Sequence, residues 1–307
     1  MGFRLAGCAA FAALLLPGCP GDFEKQSEIV KLRVLAVQAE PAEVIFDLSR
    51  GSSPSTTFTA LAVEPSGAPV AVEYALCTVQ DPVPPPDIDC PGTQGIDLPS
   101  SDPVSATLDL SDPRIAALAL QLAQDAGVSD AGGLLAEGIP VLVGFRATAP
   151  AHTLPDGGPP GADGSDTQVF RGLTTVTVRS PGAPPNRNPS LEALRMGNAG
   201  IDIAVDGSTT APAGTVQRLT PDPSPRAKEP ADGGVEALGY SFFATAGSIS
   251  ALRSTDTTAT GQPADTSVDW TTPAQAQQAR LWVVVRDGRG GVGWIARSVE
   301  VTPPAAR

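Results

Sequence analysis

Residues 280–301 read RLWVVVRDGRGGVGWIARSVEV, and the reading of the fold starts from this stretch. Two runs rich in Val, Ile and Trp, Arg280 to Val285 and Val292 to Val301, flank Asp287-Gly288-Arg289-Gly290-Gly291. β-branched and aromatic residues favour extended backbone, and clustered glycines supply the positive φ that tight reversals need, so a β-hairpin is expected. The glycine loop lacks the Gly-Lys-Ser/Thr ending of a phosphate-binding loop and joins two strands, which removes nucleotide binding there. Loop length then places Trp282 and Trp294. A three-residue loop sets them opposite each other, a five-residue loop makes them diagonal neighbours on one face, and a four-residue loop separates them. Cross-strand aromatic pairing stabilises a sheet by about 0.2–1 kcal/mol. An exposed pair on one face would instead be a platform for stacking a sugar ring, and both readings stay open.

Short strands of the same kind recur towards the N-terminus. Leu238, Tyr240, Phe242 and Ala244 alternate, as do Ile201, Ile203 and Val205, and Ser190 to Met196 opens this half of the chain. Ser180 to Pro189 (SPGAPPNRNP) has four prolines and no apolar pattern, which marks a linker. Before it lie β-rich runs at Leu32–Val37, Phe58–Val63, Val70–Cys77, Ala106–Leu110, Val141–Ala147 and Val169–Val178. Pro65-Ser66-Gly67 between the second and third predicts an antiparallel pair. One helix is expected, Pro113 to Ala126, with Ser111 or Asp112 as N-cap and an apolar stripe at Ile115, Leu118, Ala119 and Leu122. The fold class is therefore all-β: two tandem immunoglobulin-like β-sandwiches, residues 31–179 and 190–303, joined by 180–189, with one short helix inserted in the first. The Cys-Trp-Cys spacing of antibody domains is missing from both.

Composition narrows the partners. The chain carries 33 acidic and 20 basic residues, a net charge of −13, and loss of Arg4 with an N-terminal leader would make it −14. A nucleic-acid surface needs clustered Lys and Arg, and an anionic lipid surface repels such a chain. Glycine and proline number 32 each, about a fifth of the 307 residues. That exceeds the usual share but stays below the roughly 25–30% typical of disorder.

The N-terminus reads as targeting sequence. Arg4 precedes an apolar run from Leu5 to Leu16, too short for the roughly 20 residues of a membrane span. Leu16-Pro17-Gly18-Cys19 resembles the lipobox of bacterial lipoproteins. That resemblance implies cleavage after Gly18, a diacylglyceryl group on the Cys19 sulfur and probable N-acylation with a fatty acid such as palmitate. Residues 1–18 then form a signal peptide and 19–30 a lipidated tether. Each buried methylene contributes about 0.8 kcal/mol, so two or three chains hold a protein on a membrane. Pro20 after the cysteine departs from the Asp of inner-membrane retention, so the outer membrane is expected.

With this lipobox, KLRVLAVQAEPAEV at 31–44, EYALC at 73–77 and LWVVVRDGRGGVGW at 281–294 resemble a group of uncharacterised myxobacterial-type lipoproteins with Ig-like domains. The likeness covers most of the mature chain, but its motifs are strand cores and turns. It implies fold and location and carries no catalytic residue.

Residues for chemistry are sparse. His152 is the only histidine, and no Gly-x-Ser-x-Gly elbow accompanies it. Once Cys19 is acylated, Cys77, Cys90 and His152 are too few for a structural zinc site. Asp156, Asp163 and Asp166, and likewise Asp81, Asp87 and Asp89, lack EF-hand spacing and read as solvated loops. No enzyme, metal or cofactor is expected. Cys8 leaves with the leader, so Cys77 and Cys90 are the remaining thiols of an exported chain, and a disulfide is expected over two separate buried thiols. The expected role is a non-catalytic, lipid-anchored envelope protein for adhesion, scaffolding or envelope assembly. The alternative is a carbohydrate-binding surface lipoprotein using Trp282 and Trp294; partners are the membrane and an unknown envelope protein or polysaccharide.

Overall fold

The computed structural model describes residues 25–47, 54–77, 90, 95–115, 117, 131–151, 166–182, 184–231 and 234–304. The first sandwich has a sheet of strands Arg33–Glu40, Ser55–Val63, Ser105–Asp109 and Ser100–Asp102, in that order. Its other sheet runs Glu43–Ile45, Thr167–Arg179, Ile139–Pro150, Ala71–Cys77 and Gly95–Asp97. Alternation decides which side chains enter the core: Thr56, Phe58 and Ala60 of one strand are buried, and their neighbours are less so. Phe58 on the first sheet stacks on Tyr74 of the second at 6.1 Å between ring centres, and Tyr74 meets Phe145 at 6.5 Å.

The second sandwich repeats the plan. One sheet runs Ile201–Asp202, Leu191–Met196, Val216–Pro223, Val268–Thr271 and Ser248–Ile249. The other runs Thr210–Pro212, Val292–Thr302, Gln277–Arg286, Gly239–Ala244 and Arg253–Thr255. In each sandwich a three-residue strand pairs in parallel with the second arm of a long hairpin: Glu43–Ile45 with Thr167–Arg179, and Thr210–Pro212 with Val292–Thr302. All-β class and tandem Ig-like sandwiches are therefore the architecture of this chain. The buried residues of one core lie between Leu32 and Val178, and those of the other between Leu194 and Val301.

Several local expectations differ from what is observed. Ser55–Val63 and Ala71–Cys77 lie in different sheets, so the Pro-Ser-Gly turn is a crossover and not a hairpin. Glu64 explains the change: its buried carboxylate accepts the Ser66 hydroxyl and the Ala68 N–H, the latter at 3.1 Å, and steers the chain out of its sheet. Ile201 and Val205 do not alternate into a core; Val205 is 80% exposed and the strand ends at Asp202. The predicted helix is helical at residues 113–115 and 117, with the Asp112 carboxylate accepting the Arg114 N–H at 2.8 Å as an N-cap, and the remainder lies outside the described residues. A second short helix, Ala131–Glu137, was hidden by its two glycines.

Trp270 was missed by the sequence reading. It is fully buried at the centre of the second core, its indole N–H donating to the Ala246 carbonyl at 3.0 Å. Replacing it by alanine is expected to cost about 3–5 kcal/mol, measured by denaturant unfolding of the full chain.

Candidate functional site: the waist between the sandwiches

Arg286 pairs with Val292, so the hairpin loop is the five residues Asp287 to Gly291. Val284 lies opposite Trp294 and Trp282 opposite Ala296, which makes the two tryptophans diagonal neighbours on one face. The other face, with Leu281, Val283 and Val285, enters the second core. The tryptophan face is covered too. Trp282 and Val284 form a separate cluster with Leu35, Ala36 and Val63 of the first sandwich, and Trp294 packs against its margin. The strand is thus buried on both sides, which explains its unbroken apolar run. Trp282 is 7% exposed, so of the two readings of Trp282 and Trp294 packing is the one observed for Trp282, and its area is used between the sandwiches. A remaining part of Trp282 borders a groove of about 530 Å³ with Arg280 and Arg297.

A polar network sits beside this apolar cluster. Arg179 Nε contacts the Glu43 carboxylate at 2.7 Å in the first sandwich, and the Asn186 backbone N–H donates to the same carboxylate at 2.9 Å. The Asn186 side-chain amide donates to Asp287 Oδ2 of the second sandwich at 2.9 Å. Asp287 Oδ1 in turn accepts the N–H groups of Arg289, at 2.7 Å, and Gly291, at 2.9 Å. Two residues on, Asn188 donates to the Ala39 carbonyl and the Glu40 carboxylate, both at 2.7 Å, and accepts the Val292 N–H at 2.9 Å. The Asn-Arg-Asn of the expected linker is therefore stapled to both sandwiches, and Asn186 is 3% exposed. Burial alone would raise the Glu43 pKa, but the Arg179 bond, the Asn186 N–H and the Arg179 and Arg289 charges outweigh it and hold the carboxyl below its ordinary 4.5.

The glycines follow from this packing. Gly288 and Gly290 have φ of 78° and 105°, a region L side chains avoid. A side chain on Gly293 would overlap the Pro189 carbonyl, and one on Gly291 would overlap the Asp287 carboxylate.

The chain enters at the same place. Ile29, 1% exposed, joins the waist cluster; its N–H donates to the Ala244 carbonyl, and the Ala244 N–H to the Ser27 carbonyl, each at 2.9 Å. The described end of the expected 19–30 tether, from Lys25 onward, is docked on the second sandwich, where Ile29 fills an apolar gap. Cys19 lies outside the described residues, as do His152, Asp81, Asp87, Asp89, Asp156 and Asp163. Cys77 and Cys90 form a disulfide with Cα atoms 5.2 Å apart, packed with Ala75. Among the described residues no three His, Cys, Asp or Glu side chains gather as a metal site.

No protein-family model and no curated protein matches this sequence. Among solved structures, the chain is similar to the Bacteroides ovatus mixed-linkage glucan utilization protein SGBP-B in complex with a mixed-linkage heptasaccharide, at 11% identity over 90% of this chain and TM-score 0.21. The chain spans about half (48%) of that protein's length. It is also similar to murine CEACAM1b, at 10% identity over 89% of this chain and 100% of the other, TM-score 0.21. A third is the Yersinia pseudotuberculosis adhesin InvE, at 12% identity over 88% and 60%, TM-score 0.21. Likenesses this distant carry no argument about function.

Two outcomes test the waist. Gly293→Ala should push the linker off the hairpin, and limited proteolysis should then cut within residues 184–190, where the parent chain resists. Because the Glu43 pKa is lowered in the folded chain, its contribution is complete above the unfolded value near 4.5 and is lost as pH falls through the folded value. Acid titration of the full chain should therefore open this same proteolytic site only as the pH falls below the ordinary Glu value of 4.5, and Glu43→Gln should flatten that dependence.

Proposed function

We propose that this chain is a non-catalytic, lipid-anchored envelope protein in which two Ig-like sandwiches, residues 31–179 and 190–303 joined by 180–189, serve adhesion, scaffolding or envelope assembly. The waist carries this reading: apolar and polar contacts fix one sandwich on the other, as a spacer or adhesive module needs and a hinged enzyme does not. Support for the anchor comes from Leu16-Pro17-Gly18-Cys19, and support for the myxobacterial-type likeness from strand and turn motifs alone. Among the described residues no helix is long and apolar enough to cross a membrane. The disulfide fits an exported, oxidising location such as the outer-membrane envelope. Carbohydrate binding is the second reading, and the part of Trp282 bordering the 530 Å³ groove is what favours it.

Cys19→Ala decides the anchor. The parent protein is expected in the outer-membrane fraction and the variant in the soluble or uncleaved fraction. Membrane association of a processed Cys19→Ala chain would overturn the lipid anchor.

A further inference from the structure

On the other side of the waist the sandwiches enclose a cleft of about 810 Å³, within the range of small-molecule sites. Lys31, Arg33, Arg253 and Arg286 border it, and among the described residues no Asp or Glu does. Two of these four, Arg253 and Arg286, are in no ion pair among the described residues, in a chain of net charge −13.

Arg286 is the central group. It ends the strand Gln277–Arg286 and reaches across the waist, where Nη2 donates to the Leu35 carbonyl at 3.0 Å and Nη1 to the Ser241 hydroxyl at 3.4 Å. Both acceptors are uncharged, and a guanidinium has five N–H donors, so most of its fork has no protein acceptor among the described residues. Burial, and then the like charge of Arg253, press the Arg286 guanidinium below its ordinary value. Arg253 is exposed and forms no ion pair among the described residues. Two cations facing one cleft without a carboxylate are an uncompensated charge, and a part-buried charge of that kind is costly until an anion arrives. Leu35, Phe170 and Phe243 give the cleft an apolar part of its lining.

We propose that this cleft is a binding site for an organic anion, a carboxylate- or phosphate-bearing molecule whose charged group bridges Arg286 and Arg253 and whose body lies on Phe170 and Phe243. A guanidinium fork matches either oxyanion. The net negative charge of the chain repels such ligands elsewhere and so favours their approach at this basic cleft. The site goes beyond the adhesive reading and does not depend on lipid at Cys19, so the two fail separately.

Isothermal titration of the full-length protein tests it, with trigalacturonate as the carboxylate probe, glycerol 3-phosphate as the phosphate probe and neutral cellotriose as control. At least one anion should bind, and its affinity should fall as salt rises from about 50 to 300 mM. Arg286→Gln and Arg253→Gln should each weaken it about 10- to 100-fold, the loss of one charge-assisted hydrogen bond. Arg253 is at the surface, so its variant tests the site even if Arg286→Gln fails to fold. Absence of binding by either anion at millimolar concentration overturns the proposal, as does equal affinity in Arg253→Gln or equal binding of cellotriose.

Discussion

The placement of the two sandwiches depends on Asn186. Its backbone N–H is bound to the Glu43 carboxylate of the first and its side-chain amide to the Asp287 carboxylate of the second. Apolar contact between Trp282, Val284, Leu35 and Val63 supplies area, but such contact is non-directional and would tolerate sliding. Hydrogen bonds in a part-dry junction do not, because a shifted donor leaves a buried carboxylate unpaired. Position comes from the polar side of the waist and cohesion from the apolar side.

The hairpin of residues 277–302 serves both. It contributes alternate side chains to its own core and to the waist, and its loop presents Asp287 to the linker. Four glycines divide the work. Gly288 and Gly290 turn the chain, whereas Gly291 and Gly293 keep a surface bare so that Asp287 and the Pro189 backbone can come close. A glycine-rich turn in a sequence thus carries two unrelated requirements that look identical on the page.

That duality explains what was legible. Local alternation and turn residues were enough for the all-β class, for the long hairpin and for most strands, since these are period-2 signals within ten residues. The Cys77–Cys90 bridge was reached by counting thiols. Partnership between distant segments was not legible. Whether Trp282 faces water depends on Leu35, some 250 residues earlier, and the linker's order depends on acids at positions 43 and 287. The Pro-rich composition of 180–189 marks a linker and carries no sign that Asn186 and Asn188 are bound on both sides. Trp270 escaped for a related reason: its strand is four residues long, too short to show a period. The basic cleft is likewise assembled from segments near 31, 253 and 286.

The docking of Ile29 and the cover of Leu35 by Trp282 bear on the order in which the molecule can be completed. A chain made N-terminus first has every described strand of its first sandwich once Arg179 has emerged. Ile29, Leu35 and Ala36 are only partly covered until the hairpin of residues 277–302 arrives, because Trp282, Val284 and Trp294 complete their cluster. The hairpin of residues 277–302 therefore closes its own core and shields the segment around Ile29 and Leu35 in one event. A chain cut short before residue 280 would display an apolar waist to any chaperone or protease it met, which marks it as unfinished.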